Sequence, residues 1–255
     1  MELTNQASLV AGLVVTAVLV GLHLLAPRFR ELPGVPDTAL GSFGGGLAVA
    51  YVFLHLLPEL AEGNEGVAEA LEDAVEATPL LDLGIFVVAL CGFWAFYVLE
   101  RLAARGTTAH RAGEGSAASL AVHLAGFAVY NALITYTMPL RFRTGIAFAV
   151  LFAVAMGLHF ILTDRTLAEH YGARFGRPAR LVLAAALVLG WVLAVAAAPT
   201  RTLLVSLVSA FLGGSILLNV FKEELPTDRR SSLVWFTVGL VLYGVLLALT
   251  TALAE

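Results

Sequence analysis

The residues of this chain that could do chemistry are few, and they sit at the tips or inside long apolar runs. His55 and Glu59 close one run, four positions apart and therefore on one helical face. Glu223 and Glu224 close another. Between these two runs lie SLAVHLAGFAVYNALITYTMP, with His123, Tyr130, Asn131, Thr135 and Tyr136, and TGIAFAVLFAVAMGLHFILTDR, with His159, Thr163 and Asp164. An amide or imidazole within an apolar run costs free energy unless it meets a partner or lines a wet cavity. Imidazole combined with oxygen donors suits a borderline divalent cation such as zinc, and His159 and Thr163 share a face by the same four-residue spacing. Each residue also has a structural alternative. For Asn131, His159, the tyrosines and the threonines it is a helix–helix hydrogen bond. For His23, His123, Asp164 and the tip residues it is a place near the water interface.

The elements that must carry these residues are membrane spans. Of 255 residues, 59 % are hydrophobic and only 13 % charged, and the mean hydropathy is +0.88; soluble domains carry roughly 25 % charged residues. Eight runs approach the ~20 apolar residues a crossing helix needs: Ser8–Ala26, Ala39–Leu57, Leu80–Leu102, Ser119–Met138, Gly145–Thr163, Arg180–Ala198, Leu203–Leu225 and Leu233–Leu253. The first has only Glu2 before it, so it reads as a retained span and not a cleaved signal. The net charge of -4 gives no reason to expect nucleic acid as a partner. The single cysteine, Cys91, makes neither an internal disulfide nor a thiolate cluster.

Loop charge sets the expected orientation. Arg28, Arg30, Arg101, Arg105, Arg111, Arg165, Arg174, Arg177, Arg180, Lys222, Arg229 and Arg230 fall in one set of loops, and only Arg141, Arg143 and Arg201 in the other. The first set is then cytoplasmic and both termini are outside. The loop after Glu59 is acidic, with Val67, Leu71 and Val75 spaced for a short amphipathic helix on the outer surface.

Phe43–Glu59 (FGGGLAVAYVFLHLLPE) returns 168 positions later as Phe211–Pro226 (FLGGSILLNVFKEELP). Phe43/Phe211, Gly45/Gly213, Gly46/Gly214, Val52/Val220, Phe53/Phe221, Leu57/Leu225 and Pro58/Pro226 are identical. The two spans cross in opposite senses, so the repeat is inverted, a transporter-like architecture with a site expected at the repeat interface. Spans three and eight show no convincing match. The expected organisation is one transmembrane domain: a three-helix repeat over 1–104, a central hairpin over 105–178 and an inverted three-helix repeat over 179–255.

HLLPE at His55–Glu59, FKEELP at Phe221–Pro226, FAVYNALITY at Phe127–Tyr136 and GLHFIL at Gly157–Leu162 together resemble the ZIP family of divalent metal transporters. The resemblance implies an all-α membrane protein of eight helices in a 3+2+3 arrangement, both termini outside the plasma membrane, with a possible homodimer as the assembly. It also implies a divalent cation such as zinc as cargo, with no tightly bound cofactor and no enzymatic activity. Asn131 and His159 match the metal motifs of the family's fourth and fifth spans. Tyr130, Ile134 and Thr163 stand where that family usually has histidine or carboxylate. On this reading His55 and Glu59 attract the cation outside, Asn131 and His159 coordinate it, and Asp164, Glu223 and Glu224 receive it inside. Two neutral ligands do not hold a dehydrated divalent ion. The alternative is therefore a degenerate ZIP-fold protein that carries another solute or serves as a membrane partner or regulator. A third reading, an intramembrane zinc hydrolase using His55, His123, His159 and Asp164, lacks paired histidine spacing and a nucleophile.

Overall fold

The computed structural model describes residues 3–29, 37–71, 83–107, 116–197, 202–224 and 231–254, with the backbone alone at 29, 37, 65–71, 104–107, 202–205, 223–224 and 253–254. Every regular element among them is helical: α1 Asn5–Phe29, α2 Asp37–Tyr51, α3 Leu57–Leu71, α4 Gly84–Thr107, α5 Ala117–Thr144, α6 Ile146–Tyr171, α7 Arg177–Ala197, α8 Thr202–Asn219 and α9 Leu233–Ala254, plus three short turns. Seven helices in these residues are long and apolar enough to cross a membrane, and Ser206–Lys222 is a shorter apolar one. Their apolar side chains stay exposed on one face, among them Val10, Val14 and Val18 on α1, Leu90 and Trp94 on α4, and Val241, Val245 and Leu249 on α9. Such faces have no favourable contact with water and fit lipid. This is a multi-pass membrane protein.

The helices sort into two groups. In one, α5 packs on α7, and α1 lies against α5, α6 and α7. In the other, α2 packs on α9 and α4 on α8. The groups meet mainly through α4 with α5, α2 with α6 and α5 with α8. Between α5 and α6 there is a single residue, Gly145, whose N–H is bonded to Arg141 O and whose carbonyl accepts from Ala149. Pro139 lies inside α5 without ending it.

The repeat reaches further into the structure than into the sequence. A π-helical turn spans Val52–Leu56, with Leu57 N–H bonded back to Val52 O, and another spans Val220–Glu224. These are the same five positions at the offset of 168. Helix contacts follow the same symmetry. A methyl group added at Gly46 would overlap the Phe236 carbonyl, and one at Gly239 the Phe43 carbonyl, so α2 and α9 touch backbone to backbone. On the other side Gly214 meets Ala89 O and Gly92 meets Phe211 O, joining α8 and α4 in the same way. Gly46 corresponds to Gly214 and Phe43 to Phe211 at 168, while Gly92 corresponds to Gly239 and Ala89 to Phe236 at 147. Spans three and eight, which show no convincing residue match at 168, are thus matched at 147 through these contacts. The chain between the second and third spans is longer in the first copy, which shifts the register by 21 residues and hides the match.

The expected surface helix after Glu59 is not a separate element up to Leu71: α3 continues the span through the π-helical turn. Val75 lies outside the described residues.

Candidate functional site

Three clusters of polar side chains interrupt the apolar interior. The first lies within the α1–α5–α6–α7 group. His23 Nδ1 donates to Asp164 Oδ1 at 3.0 Å, and both side chains are 1 % exposed. Asn131 Nδ2 donates to His23 Nε2 at 3.0 Å and to Leu183 O at 3.3 Å. The bond to a carbonyl fixes which way the amide faces, because the amide oxygen cannot donate there. His23 therefore accepts at Nε2 and donates from Nδ1, and its ring stacks on Phe160 at 4.6 Å. Asp164 Oδ2 is buried without a partner.

The ZIP resemblance sets Asn131 beside His159 as a ligand; the side-chain bonds of Asn131 given above run to His23 and Leu183 O. His159 is buried beside Tyr130, their ring centres 5.4 Å apart, with Nε2 3.4 Å from Thr163 Oγ1. Asp164, expected at the interface, is fully buried, and so is His23. Tyr130 donates to Met156 Sδ at 3.7 Å, and Thr135 Oγ1 to Leu187 O at 2.7 Å, a helix–helix bond between α5 and α7.

The second cluster closes one end of the bundle. Arg141 on α5 donates from Nη1 to Glu59 Oε2 at 2.9 Å, and His55 Nε2 lies 3.6 Å from the same oxygen. The guanidinium sits over the Phe152 ring, 4.1 Å from its centre, and a cation–π contact adds roughly 0.5–2 kcal/mol when desolvated. His55, Glu59 and Arg141, together with Thr137, Phe148, Ser206 and Ser209, line a cavity of about 670 Å³. The third cluster lies at the opposite end. Glu100 on α4 meets Lys222 in the second π-helical turn and His123 Nε2 at 3.1 Å. Tyr171 OH bonds Ser119 Oγ at 2.7 Å and also meets His123 Nδ1. These groups line a cavity of about 280 Å³ that reaches inward to His159.

His55 and Glu59 are together, as their spacing predicts. Glu223 and Glu224 fall in the second π-helical turn, and their side chains lie outside the described ones. Sequence reasoning missed three groups: His23, read as a near-end residue, Arg141, read only as a loop charge, and Glu100. Their charge or polarity beside apolar runs is the one signal that marks them. Among the described residues no three His, Cys, Asp or Glu side chains lie together as a metal ion needs. Each carboxylate at these clusters is met instead by a donor of the chain: Glu59 by Arg141, Glu100 by Lys222 and His123, Asp164 by His23. Arg141 Nε and Arg180 Nε are also buried unmet, and so are two groups outside the arginines, Tyr51 OH and Asn219 Nδ2. Tyr51 and Asn219 correspond at the offset of 168, each directly before its π-helical turn.

A scan of the chain against known protein families finds no matching family model, and a search among curated proteins finds no match.

Proposed function

We propose that this chain is a ZIP-like transporter of eight spans in a 3+2+3 arrangement, with both termini outside the plasma membrane. Its cargo is a small polar solute and not a coordinated transition-metal ion. The inverted repeat and a cavity at each end of the bundle support alternating access. The resident donors carry the choice of cargo. At about 4 Å and an effective dielectric near 20, unit charges interact by about 4 kcal/mol. A divalent ion at Glu59 would gain about 8 kcal/mol from the carboxylate and lose about as much to Arg141. Lys222 has the same effect at Glu100. The remaining electrostatic gain does not offset the dehydration of a divalent ion.

One observation favours the second reading, transport of a divalent cation such as zinc. Asp164 Oδ2 is buried and unmet beside His23 and Asn131, so one carboxylate oxygen there is open to a cation. Uptake of zinc, manganese, iron and cadmium into vesicles reconstituted with the protein separates the two. The expected result is uptake no faster than into protein-free vesicles. Zinc uptake that Asp164→Asn abolishes would overturn the first reading and establish the second.

A further inference from the structure

We propose, resting on the solute-transport reading, that the cavity beside Lys222 is a binding site for a small zwitterion: an α-amino acid with a short apolar side chain. At about 280 Å³ the cavity falls at the lower limit of ligand pockets, about 300–1,000 Å³, so it fits a cargo of few heavy atoms. Among the described residues its charged lining side chains are Glu100 and Lys222, one of each sign. A free anion that takes Lys222, or a free cation that takes Glu100, would part the pair and leave the other charge unmatched. A zwitterion brings its own balance. Its ammonium can reach Glu100 while its carboxylate takes Lys222, so the existing pair opens around the ligand and both charges stay matched.

Asn219 supplies the second, independent observation. It lines the same cavity, is 2 % exposed, and its Nδ2 has no acceptor. A buried N–H left unmet is costly, and an incoming carboxylate oxygen would satisfy it. The residue directly precedes a π-helical turn, a distortion found often at functional sites. Its counterpart in the other copy, Tyr51, buries an unmet hydroxyl at the matching position, so the unmet polar group is a feature of both repeats. Phe127, Leu162 and Leu167 form the apolar part of the wall, which suits a methyl-sized side chain and excludes a second charge.

The test uses the full chain purified in detergent, with L-alanine as probe and acetate and ethylammonium as single-charge controls. L-alanine raises the unfolding temperature and binds saturably; acetate and ethylammonium do neither. Asn219→Leu removes an unmet donor, so without ligand it unfolds no earlier than the parent, yet it binds alanine at least tenfold more weakly. The zwitterion site is overturned if alanine does not bind, if acetate binds as well as alanine, or if Asn219→Leu binds alanine like the parent. The ligand comparison on the parent protein decides the matter even where the variant does not fold. Loss of alanine binding with no metal uptake overturns this site alone. Asp164-dependent zinc uptake overturns the transport reading beneath it.

Discussion

His23 shows how a single side chain organises a membrane interior. Both its ring nitrogens are engaged, one by Asp164 from α6 and one by Asn131 from α5, and Asn131 also ties α5 to α7 through Leu183 O. Removing one partner of a buried hydrogen bond leaves the other unmet, at a cost of about 1–3 kcal/mol. His23→Leu is therefore expected to destabilise the protein by about that amount. His23→Leu combined with Asp164→Leu should cost clearly less than the sum of the two changes, with a coupling of at least ~1 kcal/mol. Denaturant titration of the parent, both single variants and the double variant measures this, and additive changes would show that the two side chains do not interact. Local spacing made some of this legible: His55 with Glu59 and His159 with Thr163 are four apart and do meet. His23 with Asp164 was not legible, because 141 residues separate them and only the folded α1–α6 contact brings them together.

At the scale of elements, glycine sets how closely helices approach. Gly46 and Gly214 each receive a carbonyl from a neighbouring helix where a Cβ would have to be. Gly46→Ala and Gly214→Ala are each expected to cost about 1–3 kcal/mol by overpacking. Gly21 on α1 has nothing within 4 Å of an added Cβ. Gly21→Ala should be neutral or stabilise by up to about 1 kcal/mol through helix propensity alone. Thermal unfolding of the three variants checks this, and a cost at Gly21 equal to that at Gly46 would remove the close-packing explanation. The glycine pairs were visible in the repeat, since Gly45/Gly213 and Gly46/Gly214 recur. Their partners were not, because Gly92 and Gly239 match at a different offset, and sequence comparison at a single offset passes over them. The π-helical turns were equally hidden. Val52–Leu56 and Val220–Glu224 read as ordinary apolar helix with a polar tip, and the wider turn shows only in the Leu57-to-Val52 bond.

At the scale of the molecule, the apolar composition and long runs made a multi-pass helical protein legible at once, since a bilayer leaves a helix few alternatives. The grouping of α1, α5, α6 and α7 against α2, α4, α8 and α9 follows from tertiary contacts that no run of apolar residues encodes. So does the placing of the two cavities. The Arg141 cavity draws on the C-terminal ends of α5 and α9 and the N-terminal end of α6, while the Lys222 cavity draws on the C-terminal ends of α6 and α8 and the N-terminal part of α5. On the transport reading these two cavities are vestibules on opposite faces of the membrane. Ser209 lines the first and Thr166 the second. In a Cys91→Ala background, Ser209→Cys and Thr166→Cys can each be exposed to a membrane-impermeant maleimide from either side of sealed vesicles. Ser209→Cys is expected to label only from the outside and Thr166→Cys only from the cytoplasmic side; labelling of both from the same side would contradict two vestibules on opposite faces.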